Sequence, residues 1–187
     1  MKPNQQGNQL RIIAGRWRGR KLTFAPVPGL RPTPDRVRET LFNWLGPLLQ
    51  GARCLDLFAG SGALGFEAAS RGAAEVVMVD SDPVVVRSLR EQLQQLNFSG
   101  AQVVQQDVNS WLSMPATPFD VVFLDPPFRE SRVPECMRLL EDNGWLAAGA
   151  RVYIEAEKNY TPVLPDGWEL YRSKAAGQVG YHLAIRA

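Results

Sequence analysis

The chain has little cysteine and less histidine: Cys54, Cys136 and the single His182 among 187 residues. Two isolated thiols make neither a disulfide framework nor a metal cluster, so no metal is expected. No apolar run approaches the roughly 18 residues that span a bilayer. The opening stretch, residues 1–15, lacks the apolar segment of a secretory signal. These absences point to a cytoplasmic chain without membrane contact, with a monomer as the default. Charge of one sign is also missing overall, with 21 basic against 19 acidic side chains and a net of +2. At 45% hydrophobic and 21% charged, the composition excludes collagen-like, low-complexity and wholly disordered chains. The length corresponds to about one domain at roughly 150 residues each.

The charge is unevenly spread. Residues 1–38 hold nine basic side chains and one acid, a net of +8; the other 149 hold 12 basic and 18 acidic, a net of −6. A basic segment on an acidic body suits a polyanion docked at one edge. Within it, Arg16-Trp17-Arg18-Gly19-Arg20-Lys21 sets an aromatic among cations, and Arg11 lies just upstream. Such a stretch can grip phosphates and stack on a base or ribose. The plainer reading is a solvated basic tail.

Residues 1–9 read as a disordered polar lead. Leu10–Ala14 and Lys21–Ala25 flank a glycine-bearing centre and read as a β-hairpin. A proline- and glycine-rich connector leads to Thr33, taken as the N-cap of a helix with Pro34 in its first position. Val37, Leu41, Trp44, Leu45 and Leu48 carry that helix to about residue 48. Strands then alternate with helices: Arg53–Leu57, a helix over 63–71, Glu75–Val79, a helix from Asp82 to about Leu96, Gln102–Gln105, Phe119–Leu124, a helix over Val133–Glu141, and Arg151–Glu155. Trp168–Ser173 and Tyr181–Arg186 close the chain as an antiparallel pair. This order predicts an α/β Rossmann-like fold, its sheet mostly parallel with an antiparallel C-terminal strand, preceded by a β-hairpin extension. Residues 10–33 form the basic hairpin and connector, and 34–187 the main domain.

In such sheets ligands bind beyond the carboxyl ends of the strands. An acid stands at each of the first four: Asp56, Asp80, Asp107 and Asp125. After Asp56, Gly60, Gly62 and Gly65 satisfy G-x-G-x-x-G between a strand and a helix, leaving helix N–H groups free for a carboxylate or phosphate. A nicotinamide dinucleotide fits that loop, and so does an adenosyl ligand carrying an amino acid. Asp56 favours the second, because an acid there repels a pyrophosphate and suits an ammonium or sulfonium. Asp80, 24 residues further on, suits ribose hydroxyls. Asp107 is an acceptor for an adenine amine, a helix N-cap, or both. Asp125-Pro126-Pro127-Phe128 is the most discriminating segment. Its prolines stiffen the turn and leave carbonyls as the backbone's hydrogen-bonding groups. The Asp125 carboxylate and Pro126 carbonyl can accept both N–H bonds of an exocyclic amine, and Phe128 can stack on the base that bears it.

With these residues assembled, the chain resembles the class I S-adenosylmethionine-dependent methyltransferases. Within them it resembles the RsmD family, which methylates the N2 amine of a guanine in small-subunit ribosomal RNA. The strings that carry the resemblance are Arg11 to Lys21, Arg31 to Leu45, Asp56 to Gly65 and Asp125 to Phe128. The resemblance implies that Asp56, Phe58, Ala59, Gly60, Ser61 and Gly62 hold the methionine end of S-adenosylmethionine. Asp80 and Ser81 would take its ribose, Asp107 and Val108 its adenine, and Asp125 a share of both ligands. Thr33 and its neighbours would help close the cofactor site. Asp125, Pro126, Pro127 and Phe128 would hold the target amine during direct transfer, with S-adenosylhomocysteine as product. The RNA partner, within a partly assembled small subunit, would lie on Arg11, Arg16, Trp17, Arg18, Arg20 and Lys21.

Three other readings share some of these features. An N6-adenine or other exocyclic-amine methyltransferase uses a similar tetrapeptide. An NAD-dependent dehydrogenase shares the glycine spacing but has no use for Asp125–Phe128. A non-catalytic RNA-binding module would need only the basic segment. Cys54 reads as a core residue, His182 as structural, and Trp44, Trp111, Trp145 and Trp168 as packing. Arg129 and Arg132 read as phosphate contacts or solvated cations.

Overall fold

The computed structural model of the chain describes residues 8–128 and 131–187. β1 (Gln9–Arg11) and β2 (Lys21–Thr23) form the expected hairpin, with Leu10 opposite Leu22. Gln9, placed in the polar lead by the sequence, is the first strand residue. The remainder of that lead, residues 1–7, lies outside the described residues. α1 spans Asp35–Leu45. Its N-cap is Pro34, whose ψ of 146° is extended, and no side chain caps the helix. Thr33 is therefore not the cap; it is buried at 6% exposure in the preceding connector. The helix also stops before residue 48, because Gly46 turns to φ +49° and Pro47 opens a 3-10 turn over Gly46–Leu49.

The alternating region yields β3 (Arg53–Asp56), α2 (Ala63–Ser70), β4 (Glu75–Asp80), α3 (Pro83–Leu96), β5 (Ala101–Gln105), α4 (Val108–Leu112), β6 (Phe119–Leu124), α5 (Val133–Asp142), β7 (Leu146–Glu157), β8 (Trp168–Ala176) and β9 (Val179–Arg186). Asp82 caps α3 by accepting from the Val84 and Val85 amides. α4 follows Asp107 as the N-cap reading of that residue allowed, although five residues are too few to show a period. β7 begins five residues earlier than the sequence indicated.

The sheet runs β5-β4-β3-β6-β7-β9-β8. β3 to β7 are parallel, β9 is antiparallel to both neighbours, and β8 regains the common direction. This is the class I methyltransferase architecture expected from the sequence. Strand order reverses between β3 and β6, which opens a crevice at their carboxyl ends. Alternation along the strands divides the core: Cys54, Val76, Met78, Phe123 and Tyr153 face α1, α2 and α3. Leu55, Val77, Val79, Leu124 and Ile154 face α4 and α5. Among the described residues no helix is long and apolar enough to cross a membrane.

α2 is buried along its whole length, as its small apolar sequence requires, and it carries the fully buried Glu67. That carboxylate accepts from the Ile13 and Ala14 amides at 2.9 and 3.0 Å, from Arg71 at 2.8 Å and from Arg38 at 3.3 Å. Arg38 is 1% exposed and also donates to the Arg11 carbonyl and to Asp35. It therefore does not belong to the basic surface. One turn on, the Ser70 hydroxyl donates to the Ala14 carbonyl and accepts from the Trp17 amide. Leu10, Ile12, Leu22 and Phe24 seal the hairpin into the same core. Glu67→Ala should destabilise the fold by about 3–5 kcal/mol, the cost of stranding a buried partner charge. Urea denaturation checks this, and a loss under about 1 kcal/mol would show the pair to be idle.

Candidate active site

β3 delivers Asp56 to the crevice, and the chain then doubles back through Gly60 (φ +52°) and Gly62 (φ +80°) into α2. A side chain at Gly62 would come within 2.3 Å of the Phe66 ring, so glycine is required by both conformation and space. The loop is held by acids. Asp80 at the end of β4 accepts from the Gly60 amide at 3.0 Å and from the Asp82 amide at 2.9 Å. Asp56 accepts from the Gly65 amide at 3.0 Å. The connector before α1 lies over this loop, with the Leu30 side chain against Gly60. Of the other loop residues, Ala59 and Ser61 are buried and Phe58 is half-buried, while Ser81 is exposed.

Asp56 is 2% exposed. Burial pushes its carboxyl from 3.8 up to about 7; the Gly65 N–H pulls it back, and the nearby Asp80 charge adds to the rise. Such a group is poised to take a cationic partner, which would restore its ionised form.

β6 delivers Asp125 beside it. Leu124 pairs with Ile154 of β7, so the next residues, Asp125 just past the end of β6 and Glu155 still within β7, stand side by side. Asp125 is half-buried, Pro126 buried and Pro127 exposed. Phe128 is 43% exposed, an aromatic face open to solvent. Burial, then Glu155 and then Asp56 hold the Asp125 carboxyl well above the usual carboxylate range. Glu155, 5% exposed, accepts from the Tyr153 hydroxyl at 2.8 Å. Burial raises its pKa and the Tyr153 hydrogen bond lowers it. A cleft of about 240 Å³ runs from Pro126, Pro127 and Phe128 to Glu155 and Tyr160. Among the described residues, none of Asp56, Asp125 or Glu155 is in a salt bridge. Glu155 was missed in the sequence, although the rule that found the other four acids, a carboxylate at a strand's carboxyl end, applies to β7 as well.

Asp107 caps α4 by accepting from the Ser110 amide at 3.1 Å, and Arg132 donates to its other oxygen at 2.7 Å. Arg132 first, with helix capping, keeps its pKa low. The cap reading of Asp107 thus holds, and any adenine contact there is shared with Arg132. Val108 is buried beneath it. Arg132 also lies 5.2 Å over the Phe58 ring, joining the glycine loop to the segment after the diproline turn. It is an internal tie and not a solvated cation; Arg129 lies outside the described residues.

On the hairpin, Arg11, Arg16, Arg18, Arg20 and Lys21 are exposed. Trp17 is half-buried, edge-on to Phe98 at 5.5 Å, with Arg16 over both rings. One edge of that indole is already committed within the protein. The cysteines are buried, and burial pushes both thiols up to about 12, so neither is a nucleophile at neutral pH. His182 accepts or donates one bond to the Ser173 hydroxyl at 2.8 Å inside the β8–β9 pair, a structural place. Trp145 stacks on Trp111 at 4.2 Å, and Trp44 on Tyr181 at 5.4 Å.

The sequence pattern of the family described as conserved hypothetical protein 95 matches residues 10–185. A protein of Escherichia coli strain K12 named ribosomal RNA small subunit methyltransferase D is 53% identical over 187 residues, covering 99% of this chain and 94% of that protein. The chain belongs to the RsmD family. A second RsmD protein, from Haemophilus influenzae and of the same name, is 47% identical over 97% of this chain and 95% of its own. The solved structure of the Escherichia coli protein yhhF superposes with a TM-score of 0.88 at 53% identity, covering 96% of this chain and 98% of that one.

Because burial makes ionised Asp56 costly, it removes stability as the pH climbs from its ordinary value toward about 7. An amide keeps the acceptor for Gly65 and cannot ionise. The melting temperature of Asp56→Asn should therefore pull ahead of the parent's between about pH 4 and about pH 8. Thermal melts across that range check it; a constant gap would mean that Asp56 is not desolvated.

Proposed function

We propose that this RsmD-family chain transfers a methyl group from S-adenosylmethionine to the exocyclic N2 amine of a guanine in small-subunit ribosomal RNA. The observation that carries the reading is the meeting of Asp56, Asp125 and Glu155, none in a salt bridge among the described residues, between a glycine loop and a rigid diproline turn. The donor set fits the cofactor: a buried carboxyl pushed up to about 7 suits the ammonium of its methionine end. Asp80 spends one oxygen's lone pair on the Gly60 amide of the loop and the other's on the Asp82 amide, and keeps the rest for ribose hydroxyls. Phe58, Ala59, Gly60, Ser61, Gly62 and Ser81 would line the remaining path, with Asp107 and Val108 at the adenine end and Thr33 in the covering connector.

When bound, S-adenosylmethionine supplies an electrophilic methyl. The chain's own task is to aim the amine. Asp125 and the Pro126 carbonyl accept the two N2–H bonds, and Pro127 keeps that acceptor pair rigid. The nitrogen lone pair then points away from them toward the methyl. The positive charge that transfer would place on nitrogen lies beside Asp125, which would stabilise it and can receive the N–H proton that the methylated amine must release. The base reaches the site by leaving its stack, and Phe128 offsets that cost by stacking, worth roughly 1–3 kcal/mol. Arg11, Arg16, Arg18, Arg20 and Lys21, with the open edge of Trp17, hold the flanking phosphates. The reading extends to a cytoplasmic, monomeric enzyme acting on ribosomal RNA within a partly assembled small subunit.

The test is tritiated methyl transfer to small subunits from a strain lacking the protein, followed by nucleoside analysis. N2-methylguanosine is expected; N6-methyladenosine would replace the reading. Asp125→Ala should bind the cofactor within a few-fold of the parent and lose roughly 10²–10³ in turnover. Unchanged turnover would remove Asp125 from the mechanism. Replacing Arg16, Arg18, Arg20 and Lys21 by alanine should weaken RNA binding and flatten its dependence on salt. An unaltered slope in filter binding would put the docking surface elsewhere.

A further inference from the structure

We propose that Glu155 selects guanine by accepting the N1–H of the flipped base, next to the N2 amine held by Asp125 and Pro126. This inference rests on the guanine reading above. It begins with register. Leu124 and Ile154 are paired on adjacent parallel strands and both face α4 and α5. The residues that follow, Asp125 and Glu155, therefore turn to the opposite side of the sheet, together, about 4.8 Å apart in the strand-to-strand direction. Tyr153, two residues before Glu155, lies on that same side and donates its hydroxyl to Oε2 at 2.8 Å.

Glu155 is 5% exposed, and Tyr153 is its hydrogen-bonding partner among the described residues. A carboxylate offers about four acceptor sites, so one phenol leaves most of its capacity unused. A buried carboxylate left this way is expensive unless a ligand completes it. It borders the cleft that Pro126, Pro127 and Phe128 also line, where the ligand would enter. Burial outweighs the Tyr153 hydrogen bond and leaves its carboxyl above the usual range, so an N–H donor from a bound base would favour the ionised, accepting form.

The Watson–Crick edge of guanine presents N1–H and the N2 amine next to one another as donors. Two neighbouring carboxyl groups are its complement. Adenine places a lone pair at N1, which would face the Glu155 carboxylate with no proton between them. A site built around such a donor rejects bases that lack it strongly, because its own buried acceptor is left unpaired. Asp125 alone recognises any exocyclic amine; Glu155 beside it adds the choice of base. The competing account makes Glu155 and Tyr153 no more than a hydrogen bond in the core.

Competition separates the two. Transfer of tritiated methyl to small subunits is measured with guanosine, 1-methylguanosine or 2,6-diaminopurine riboside added. The last keeps the 2-amine of guanosine but has no N1–H. With the full-length parent, guanosine should inhibit at least about tenfold better than either analogue. In Glu155→Gln the amide still accepts from Tyr153 and can also donate, so guanosine and the diaminopurine should come within about threefold. A parent that does not prefer guanosine overturns the proposal without any variant. So does a Glu155→Gln enzyme that folds with the parent's preference intact. Methylated adenine in the nucleoside analysis would instead overturn the guanine reading itself.

Discussion

One buried carboxylate ties the two halves of this molecule together. Glu67 lies inside α2 with no exposure, and four donors converge on it: two hairpin amides, Arg38 from α1 and Arg71 from its own helix. The N-terminal end of α2 is the glycine loop, and its C-terminal turn carries the hairpin. A helix eight residues long thus joins the cofactor end of the crevice to the basic surface through one rigid element. The backbone of residues 13–17 is fixed by side chains of α2 rather than by hairpin pairing alone, since β1 and β2 pair over only three residues each. Gly15 shows how close the docking is: an added Cβ would stand 1.9 Å from the Ser70 carbonyl oxygen.

The crevice follows the opposite electrostatic rule. Around Glu67 every acid has its cation or amide, which is how a buried charge is ordinarily kept. Toward the carboxyl ends of β3, β6 and β7 the acids crowd with no salt bridge among the described residues. After burial, Asp80 adds to the rise at Asp56, and Glu155 and then Asp56 add to the rise at Asp125. Nothing in the packing of the sheet calls for that arrangement, because apolar residues would fill those positions at lower cost. Strongly shifted groups gathered in a cleft mark functional sites, and here the missing component is a cation together with a set of N–H donors.

How much of this could be read beforehand depended on range. The glycine loop, the strand-end acids and the diproline turn are local in sequence, and each element near them was recognised from the residues that build it. The Asp82 cap and the apolar run of β6 announced themselves in the same way. The failures are those of distance or brevity. Arg38 was counted with the basic segment because the buried partner that draws it inward, Glu67, is 29 residues away on another helix. Arg132 meets Asp107 across 25 residues, so no spacing rule connects them. α4 is a single turn and a half. Leu146 to Ala150 reads as loop because of its small residues and Gly149, yet it extends β7 beyond a register shift between Phe119 and Val121. Thr33 resembled a cap because the residue types were right; the extended ψ of Pro34 moved the helix start by one residue.

The contrast between the two surfaces also sorts the proposed substrate. A phosphate backbone is drawn to Arg16, Arg18, Arg20 and Lys21 and repelled by a crevice of carboxyl groups. A base carries no net charge and presents N–H donors along its edge. Electrostatics therefore keeps the backbone on the hairpin and admits only the base to the diproline turn, before any hydrogen bond is made. Screening limits each influence to roughly 10 Å in physiological salt, so the two surfaces act separately on parts of one nucleotide chain rather than cancelling. Burial of Arg38 sharpens that division. Its charge is consumed by Glu67 and Asp35, while the exposed cations of the hairpin sit at the C-terminal turn of α2, away from the glycine loop at its other end. A hairpin free to swing would blur it, and the bonds to Glu67 and Ser70 are what hold it in register with the site.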